Sequence, residues 1–387
     1  MKIFLIGYGQ GGGKIADLFL EYDRKSRHNC IVRAVAINSA KSDLLGLNNI
    51  PMEDRILIGE SIVKGHGVGA DNEMGARIAA EDIYSIQSAI DRRGTHEVDA
   101  FLIIAGLGGG TGSGGAPVIA RRLKKVYAEP VYGLGILPAK DEGGLYSLNA
   151  ARSLMTFVKE VDNLFIFDNE PWKKEGSTLE DAYGFMNNEI VRRFGILFGA
   201  GESEEIGQVV VDAAEIINTL RGGGISTVGY AVEEVGKANK SGGGLLKRLK
   251  KKEKSSLEAL DTTTKITSLT RRAVMGRLTL PCDIASAERG LLVIAGPTEA
   301  LSRKGIEKAK LWVEEMIRGT EVRGGDYPVA RSNYIAAVTV FSGVTDVPRI
   351  RELQEMATEA QKNIQEFDET KEEKHESLWH DDIKPLF

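Results

Sequence analysis

The stretch AFLIIAGLGGGTGSGG, residues 100–115, joins an apolar run to a glycine-rich run. A short, continuous apolar run before glycines is typical of a buried strand in a parallel sheet. Glycines let the backbone approach a ligand closely, and a helix that begins there offers free N–H groups to an anion. The stretch therefore predicts a strand, a tight loop and a helix N-terminus suited to a polyphosphate, with Thr111 and Ser113 as further donors.

Two more glycine-rich segments come earlier, GYGQGGG at 7–13 and GHGVG at 65–69. The first follows the apolar run 2–6 and opens a helical pattern, so it predicts a second strand-to-helix turn in the same sheet. Two such turns are expected to converge near a topological switch point. Glycine is thus concentrated at a few loops, and with 42% hydrophobic residues the chain is neither collagen-like nor of low complexity.

The spacing of Gly7, Gly9 and Gly12 also matches the fingerprint of a dinucleotide-binding turn. That fingerprint requires an acid at the end of the second strand, and Asn38 stands there. An NAD-dependent oxidoreductase is therefore disfavoured. A Walker A loop is excluded because Ile15 occupies the position of the magnesium-binding Ser or Thr.

Size and charge narrow the class further. A chain of 387 residues exceeds the usual size of one core, which predicts two domains. A net charge of −5 does not suggest a nucleic-acid binder. Two cysteines, Cys30 and Cys282, fit a reducing cytosol, and no apolar run is long enough to span a membrane. The five histidines have no metal-ligand spacing.

Apolar strands alternate with helical patterns up to about residue 168, which predicts an α/β, Rossmann-like parallel sheet covered on both faces. A long helical run follows, and then longer strands that predict a second α/β domain with a mixed sheet. The predicted units are a nucleotide-binding domain at 1–177, a central helix at 178–201, a second domain at 202–345, and a charged helix and tail at 346–387.

The motif GGGTGSG at 108–114 is a signature of the tubulin/FtsZ superfamily of GTP-dependent filament proteins, and the resemblance extends from residue 1 to about 345. AINSAKSDL at 36–44 and LPAKDEGG at 137–144 look closer to the archaeal CetZ branch. The resemblance implies a cytoplasmic GTPase that assembles head to tail into filaments and controls cell shape. A division-ring protein of the FtsZ type is the alternative. A non-polymerising nucleotide-binding regulator is a further rival.

The resemblance also implies which residues hold GTP or GDP. Glu142 would bind the ribose hydroxyls, Asn169 would read the guanine edge, Tyr183 would stack on the base and Asn187 would bond it. Lys14 either meets a phosphate or is an ordinary first-turn lysine. The residues implied at the phosphates and their Mg²⁺ are Gly9, Gln10, Gly11, Gly12, Gly13, Lys14, Asn38, Gly69, Ala70, Asp71, Gly108, Gly109, Gly110, Thr111, Gly112 and Ser113.

Asp212 and Glu215 lie three residues apart at a predicted helix start. Locally this spacing predicts a capping box, in which each residue caps the other's backbone N–H. The resemblance implies a second role, completion of the GTPase site of the next subunit, where carboxylates orient and polarise the attacking water. Val210 stands where FtsZ usually carries Asn.

The segment 237–254 carries eight basic residues and one acidic residue. Three interpretations stay open: a solvated loop, a lateral contact between filaments, or a contact with an anionic membrane surface. The end of the chain, SLWHDDIKPLF at 377–387, shows no peptide of the bacterial type that recruits membrane anchors. The predicted partner is the chain itself, in a longitudinal homopolymer.

Overall fold

The computed structural model describes residues 1–173, 176, 178–202, 211–235, 262–319, 321–329 and 332–376. The basic segment 237–254, position 210 and the end of the chain at 377–387 lie outside this part, so the predictions on them stay predictions. The described strands, in chain order, are β1 Ile3–Tyr8, β2 Ile31–Asn38, β3 Arg55–Leu57, β4 Ala100–Gly106, β5 Val131–Leu137, β6 Asn163–Asp168, β7 Ile225–Glu234, β8 Arg289–Gly296, β9 Glu321–Pro328 and β10 Tyr334–Ser342.

These strands form one sheet in the order β3-β2-β1-β4-β5-β6-β7-β10-β8-β9. β1 to β6 are parallel, whereas β10 runs antiparallel to β7 and β8. β6 and β7 share only the pairs Leu164–Ile225 and Phe165–Ser226. The predicted parallel sheet, followed by a mixed one, is confirmed, and one continuous sheet contains both.

Helices cover both faces of the sheet. They are α1 Gly9–Ser26, α2 Lys41–Leu45, α3 Glu60–Val63, α4 Asn72–Glu81, α5 Ile83–Asp91, α6 Thr111–Val126, α7 Gly144–Glu160, α8 Leu179–Gly199, α9 Ala213–Leu220, α10 at 262–275, α11 Arg303–Met316 and α12 Pro348–Glu376. None of the described helices is long and apolar enough to cross a bilayer.

Strand β1 shows why the sheet is buried on both sides. Phe4 and Ile6 pack on one face with α6 and α7, while Ile3 and Leu5 pack on the other with α1 and α8. All six residues of β1 are buried. A strand with apolar side chains on both faces requires a helical layer on each side, which places β1 in the centre of the parallel half.

Two elements differ from what the local sequence indicates. Residues 72–91 have helical spacing throughout but form two helices, because the chain turns at Asp82, whose carboxylate accepts the Gly59 N–H at 2.6 Å. Strand β9 was missed, since its sequence EVRGGDYP has two glycines and an aspartate, which are rare in strands. Its parallel pairing with β8 overrides that local preference.

Candidate functional site

The strand order reverses at β1, whose neighbours are β2 on one side and β4 on the other. The helices that follow β1 and β4 therefore begin next to each other at the carboxyl edge of the sheet. Gly9 opens α1 with a φ of +72°, and a Cβ there would lie 2.8 Å from the backbone nitrogen of Gly112. The predicted convergence of the two glycine-rich turns is confirmed.

Within these turns the glycines fall into two kinds. A Cβ on Gly12 would lie 2.0 Å from the carbonyl oxygen of Ile104, so this glycine lets α1 pack on β4. A Cβ on Gly11 would meet nothing closer than 4.0 Å, and Gly11 is exposed. Gly13 is buried, whereas Gln10 and Lys14 are exposed on the first turns of α1. The exposed side of this helix start is open to a ligand.

The third glycine-rich segment lies against the second. A Cβ on Gly110 would lie 2.8 Å from the nitrogen of Asp71, and one on Gly75 would lie 2.4 Å from the Gly110 oxygen. Gly69 and Ala70 have φ of +58° and +66°, and Asp71 caps α4 by accepting the Met74 N–H at 2.9 Å. Residues 69–71 and 108–110 thus form two adjoining walls.

The hydroxyls of Thr111 and Ser113 are engaged within these walls. Ser113 donates to the Gly109 carbonyl, and the Thr111 hydroxyl lies 2.7 Å from that of Ser39. Both residues are buried in the first turn of α6, where their hydroxyls can reach neighbouring backbone or Ser39. Their role as further donors to a polyphosphate stays a prediction.

Asp43 was not among the predicted site residues, although it lies in the motif AINSAKSDL at 36–44. Its carboxylate accepts from the Asn38 side chain at 3.0 Å and from the Gln10 side chain at 3.2 Å. It therefore ties the end of β2 to the start of α1. The available signal was an acid five residues after Asn38, which the sequence places at the phosphates.

Asn149 is a second residue that the sequence did not reveal. Its side-chain amide donates to the Ala70 carbonyl at 2.7 Å and to the Gly108 carbonyl at 3.1 Å. The residue is buried on α7, and Ser153, one turn further, donates to the Ser113 carbonyl at 2.7 Å. One face of α7 thus holds the 69–71 and 108–113 segments together.

The residues predicted for the ribose and the base either follow β5 and β6 or lie on α8. Glu142 caps its own turn by accepting the Ala139 N–H at 2.6 Å, and its carboxylate also interacts electrostatically with the hydroxyl of Tyr183. Burial first, and then the charge of Glu142, raise the pKa of Tyr183 to about 12. Asn187 lies one helical turn along α8, half-buried, and Asn169 is buried directly after β6. The structure brings Glu142 and Tyr183 together.

Asp212 and Glu215 lie at the opposite edge of the sheet. Gly201 packs on Asp212, since a Cβ on Gly201 would lie 2.9 Å from the Asp212 Cα. Next to Gly201, the carbonyl of Ala200 accepts from the amino group of Met1. Met1 precedes β1, whereas Gly9 follows it, and a six-residue strand is about 20 Å long. The acids and the glycine-rich loops are thus separated by roughly the depth of the sheet.

Half of the predicted capping box is present. Asp212 is the N-cap of α9 and accepts the Glu215 N–H at 3.0 Å. The Glu215 carboxylate does not complete a capping box but pairs with Arg323 at 3.1 Å. Asp212 is exposed and Glu215 half-buried, so both stand at the surface.

Comparisons with known proteins agree with this geometry. The profile of the tubulin/FtsZ family GTPase domain matches residues 2–176, and that of the tubulin-like CetZ C-terminal domain matches residues 176–359. The tubulin-like protein CetZ1 of Haloferax volcanii is 60% identical over 372 residues, which is 95% of this chain and 94% of that protein. The chain belongs to the CetZ branch of the tubulin/FtsZ family. The predicted family and GTPase class are confirmed.

Solved structures of CetZ proteins share the fold. The GDP-bound monomer of CetZ1 from Haloferax volcanii has a TM-score of 0.83 and 57% identity, covering 93% of this chain and all of that one. The GTPγS-bound protofilament of CetZ2 has a TM-score of 0.83 and 41% identity, covering 94% and 100%. An empty FtsZ dimer of M. jannaschii shares the fold alone, at 22% identity, a TM-score of 0.67 and 88% coverage of both chains.

Proposed function

We propose that this CetZ protein binds GTP, assembles head to tail into filaments and hydrolyses GTP at each contact between subunits. The observation that carries the proposal is the separation of two half-sites on one sheet. The glycine-rich loops lie at the carboxyl edge of β1 and β4, and Asp212 and Glu215 lie at the amino edge. Only stacking one subunit on another joins the two halves.

The phosphates of GTP would lie against the starts of α1 and α6, where backbone N–H groups and the helix dipoles favour anions. Residues 69–71 would contact the terminal phosphate. Magnesium is usually held by one or two carboxylates together with substrate phosphates and water. Asp71 is an exposed carboxylate beside that wall and fits this role. The described residues contain no cluster of three or more metal-ligating side chains.

The guanosine half would lie between α8 and the loop that carries Glu142. A carboxylate accepts two hydrogen bonds from ribose hydroxyls, and the exposed ring of Tyr183 offers a stacking surface. Asn169 and Asn187 supply amide groups of the kind that pair with the edge of a base. The electrostatic interaction between Glu142 and Tyr183 supports a shared site.

In the filament, Asp212 and Glu215 of one subunit would face the terminal phosphate bound by the next. Their carboxylates would orient and polarise the attacking water, which is the usual role of acids in phosphoryl transfer to water. The relatives support this arrangement: one CetZ structure is a GDP-bound monomer, and another is a GTPγS-bound protofilament.

We further propose a cytoplasmic protein with a role in cell shape, as the CetZ branch implies. The proposed units remain 1–177, 178–201, 202–345 and 346–387. A lateral contact or a link to an anionic membrane through residues 237–254 is an additional proposal. Deletion of this segment would then reduce filament bundling or liposome binding, and unchanged bundling and binding would contradict both.

The central test is sedimentation and light scattering with GTP, GDP or NAD. We expect reversible assembly with GTP only, and hydrolysis that rises steeply with protein concentration. Asp212→Ala/Glu215→Ala should still bind GTP but hydrolyse it far more slowly within filaments. Hydrolysis at the parental rate by filaments of the double variant would overturn the proposed role of the two acids.

A further inference from the structure

The C-terminal helix α12 lies against α7 and reaches the nucleoside side of the site. Leu353, Ala357 and Ala360 of α12 are buried in the same core as Leu148 and Leu154 of α7. The contact continues to the first residue of α7, where a Cβ on Gly144 would lie 2.9 Å from the Ala360 Cβ. The helix is thus packed along the loop that precedes α7.

Arg349, in the first turn of this helix, extends its side chain into the protein interior. Its side chain is only 5% exposed. Its Nε lies 3.2 Å from the carboxylate of Asp168, and one terminal nitrogen donates to the carbonyl of Pro138 at 2.9 Å. The other terminal nitrogen lies 3.3 Å from Glu352. All three nitrogens of the guanidinium are therefore engaged.

The two core partners of Arg349 mark the ends of adjacent strands. Asp168 is the last residue of β6 and directly precedes Asn169, while Pro138 directly follows β5. After Pro138 comes Ala139, whose N–H is capped by Glu142. One planar guanidinium therefore bridges the backbone that leads to the proposed base ligand and the backbone that leads to the proposed ribose ligand.

A second ion pair supports this bridge from the solvent side. Lys140, inside the loop that carries Glu142, pairs with Glu352, which also contacts Arg349. Burial raises the pKa of Asp168, and the charge of Arg349 opposes that rise. Removing the arginine would leave a buried carboxylate without its cation, which is costly.

We propose that Arg349 is a positioning residue that fixes the spacing between the ribose-binding loop and the base-binding loop. Through it, the C-terminal helix sets the selectivity of the site for guanosine over related nucleosides. This inference rests on the proposed function, because the roles of Glu142 and Asn169 belong to that proposal. It adds a residue that is 181 positions from Asp168 in sequence and whose guanidinium is held by protein groups.

The test compares nucleotides that lack one recognised group. GTP is compared with ITP, which lacks the guanine 2-amino group, and with 2′-deoxy-GTP, which lacks one ribose hydroxyl. Arg349→Lys keeps the charge but replaces the rigid planar fork, which holds Asp168 and Pro138 through two separate nitrogens, with a single ammonium nitrogen. We expect Arg349→Lys to weaken GTP binding about tenfold, the usual effect of a lost hydrogen bond to a charged group, and to weaken the two analogues less. The preference for GTP should therefore shrink.

The matched control is Arg351→Lys, two residues along the same helix, where the side chain is 66% exposed and pairs with Asp346 at the surface. It should leave all three affinities unchanged. The thermal midpoint is measured for each variant. If Arg349→Lys does not fold, Arg349→Met with Asp168→Asn removes both buried charges together and is used instead.

Three outcomes separate the possibilities. A reduced preference for GTP over ITP and 2′-deoxy-GTP supports the proposal. Equal weakening of all three nucleotides, or no change, would show that Arg349 is merely structural and overturn the inference. Failure of the unmutated chain to bind GTP would overturn the proposed function and this inference with it.

Discussion

The amide nitrogen of Asn149 lies 2.7 Å from the carbonyl oxygen of Ala70 and 3.1 Å from that of Gly108. Ala70 has a φ of +66°, which is uncommon for a residue with a side chain. Asn149→Asp would place carboxylate oxygens opposite two carbonyls. We expect GTP affinity to fall by about tenfold or more, with GDP affected less, because residues 69–71 would contact only the terminal phosphate.

The measurement is calorimetric titration of both nucleotides at pH 8 and pH 6. A buried carboxyl protonates more readily and can then donate to one carbonyl, so the defect should lessen at pH 6. Thr156→Val removes a hydrogen bond to the Arg152 carbonyl on the exposed side of the same helix and serves as the control. An equal loss for GTP and GDP would contradict the proposed role of residues 69–71.

Neighbouring glycines of α1 should respond differently to alanine. Gly12→Ala would force a Cβ to 2.0 Å from the Ile104 oxygen, so α1 would have to move off β4. We expect a destabilisation of about 1–3 kcal/mol, as for other overpacked sites, measured by urea unfolding. Gly11→Ala has room and should keep stability while impairing nucleotide binding. Similar stability losses in both variants would argue against this division.

Two substitutions distinguish the contribution of the Tyr183 ring to nucleotide binding from that of its hydroxyl. Tyr183→Ala should weaken GDP binding by about tenfold, the usual cost of removing an aromatic that stacks on a base. Tyr183→Phe keeps the ring and removes only the hydroxyl that interacts with Glu142, so affinity should stay close to the parental value. Fluorescence titration provides both values. Equal weakening by Phe and Ala would exclude stacking as the main contribution.

Mixing two defective variants tests the half-site arrangement directly. Asp212→Ala/Glu215→Ala lacks the acids but keeps the glycine-rich loops, and Tyr183→Ala/Asn187→Ala is weakened at the base but keeps the acids. A mixture should hydrolyse GTP faster than either variant alone. In a mixed filament, the acids of the second variant would face the GTP that is bound by the first variant. Hydrolysis no faster than the sum of the separate variants would contradict a site shared between neighbouring subunits.

Because His28 is buried, we expect the stability of the fold to depend on pH. The side chain is 5% exposed, lies 2.6 Å from the Tyr327 hydroxyl, and burial lowers its pKa against an opposing effect of Asp23. The unfolded chain, with a histidine pKa near about 6.5, then binds more protons than the folded chain. Stability is therefore full above about pH 6.5 and falls as the pH drops toward the lowered value.

Thermal melts at pH 7.5 and 5.5 measure this effect. His28→Phe should melt lower at pH 7.5, since it loses the hydrogen bond to Tyr327, worth about 1 kcal/mol. Its melting temperature should fall less on acidification than that of the parental chain. An identical fall in both proteins would show that His28 does not carry the pH dependence.

The parts of the fold that the sequence predicted are those with local causes. The run AFLIIAG needs only its own apolar side chains to predict a buried strand, and glycines 108–110 mark the turn after it. Asp212 as an N-cap likewise depends on residues within one helical turn. Strand β9 depends on pairing with β8, and its local sequence gave the opposite indication.

The residues that support the site were missed for a related reason. Asn149 and Ala70 are 79 positions apart, and Arg349 and Asp168 are 181 apart. No rule of sequence spacing connects residues that are so far apart. Neither Asn149 nor Arg349 belongs to a motif on which the family resemblance rests. Residues expected to touch the ligand were therefore proposed from the sequence, whereas those that hold the loops in place required the structure.

The placement of the acids on the edge of the sheet opposite to the glycine-rich loops has a consequence for filament ends. On the proposed arrangement, a row of n subunits would contain n − 1 complete sites, so one terminal subunit would always carry nucleotide that no neighbour can attack. Short rows would consequently turn over less GTP per subunit than long ones. The two ends would also differ chemically, one presenting bound nucleotide and the other presenting Asp212 and Glu215 without a nucleotide, so growth and shrinkage need not occur equally at both.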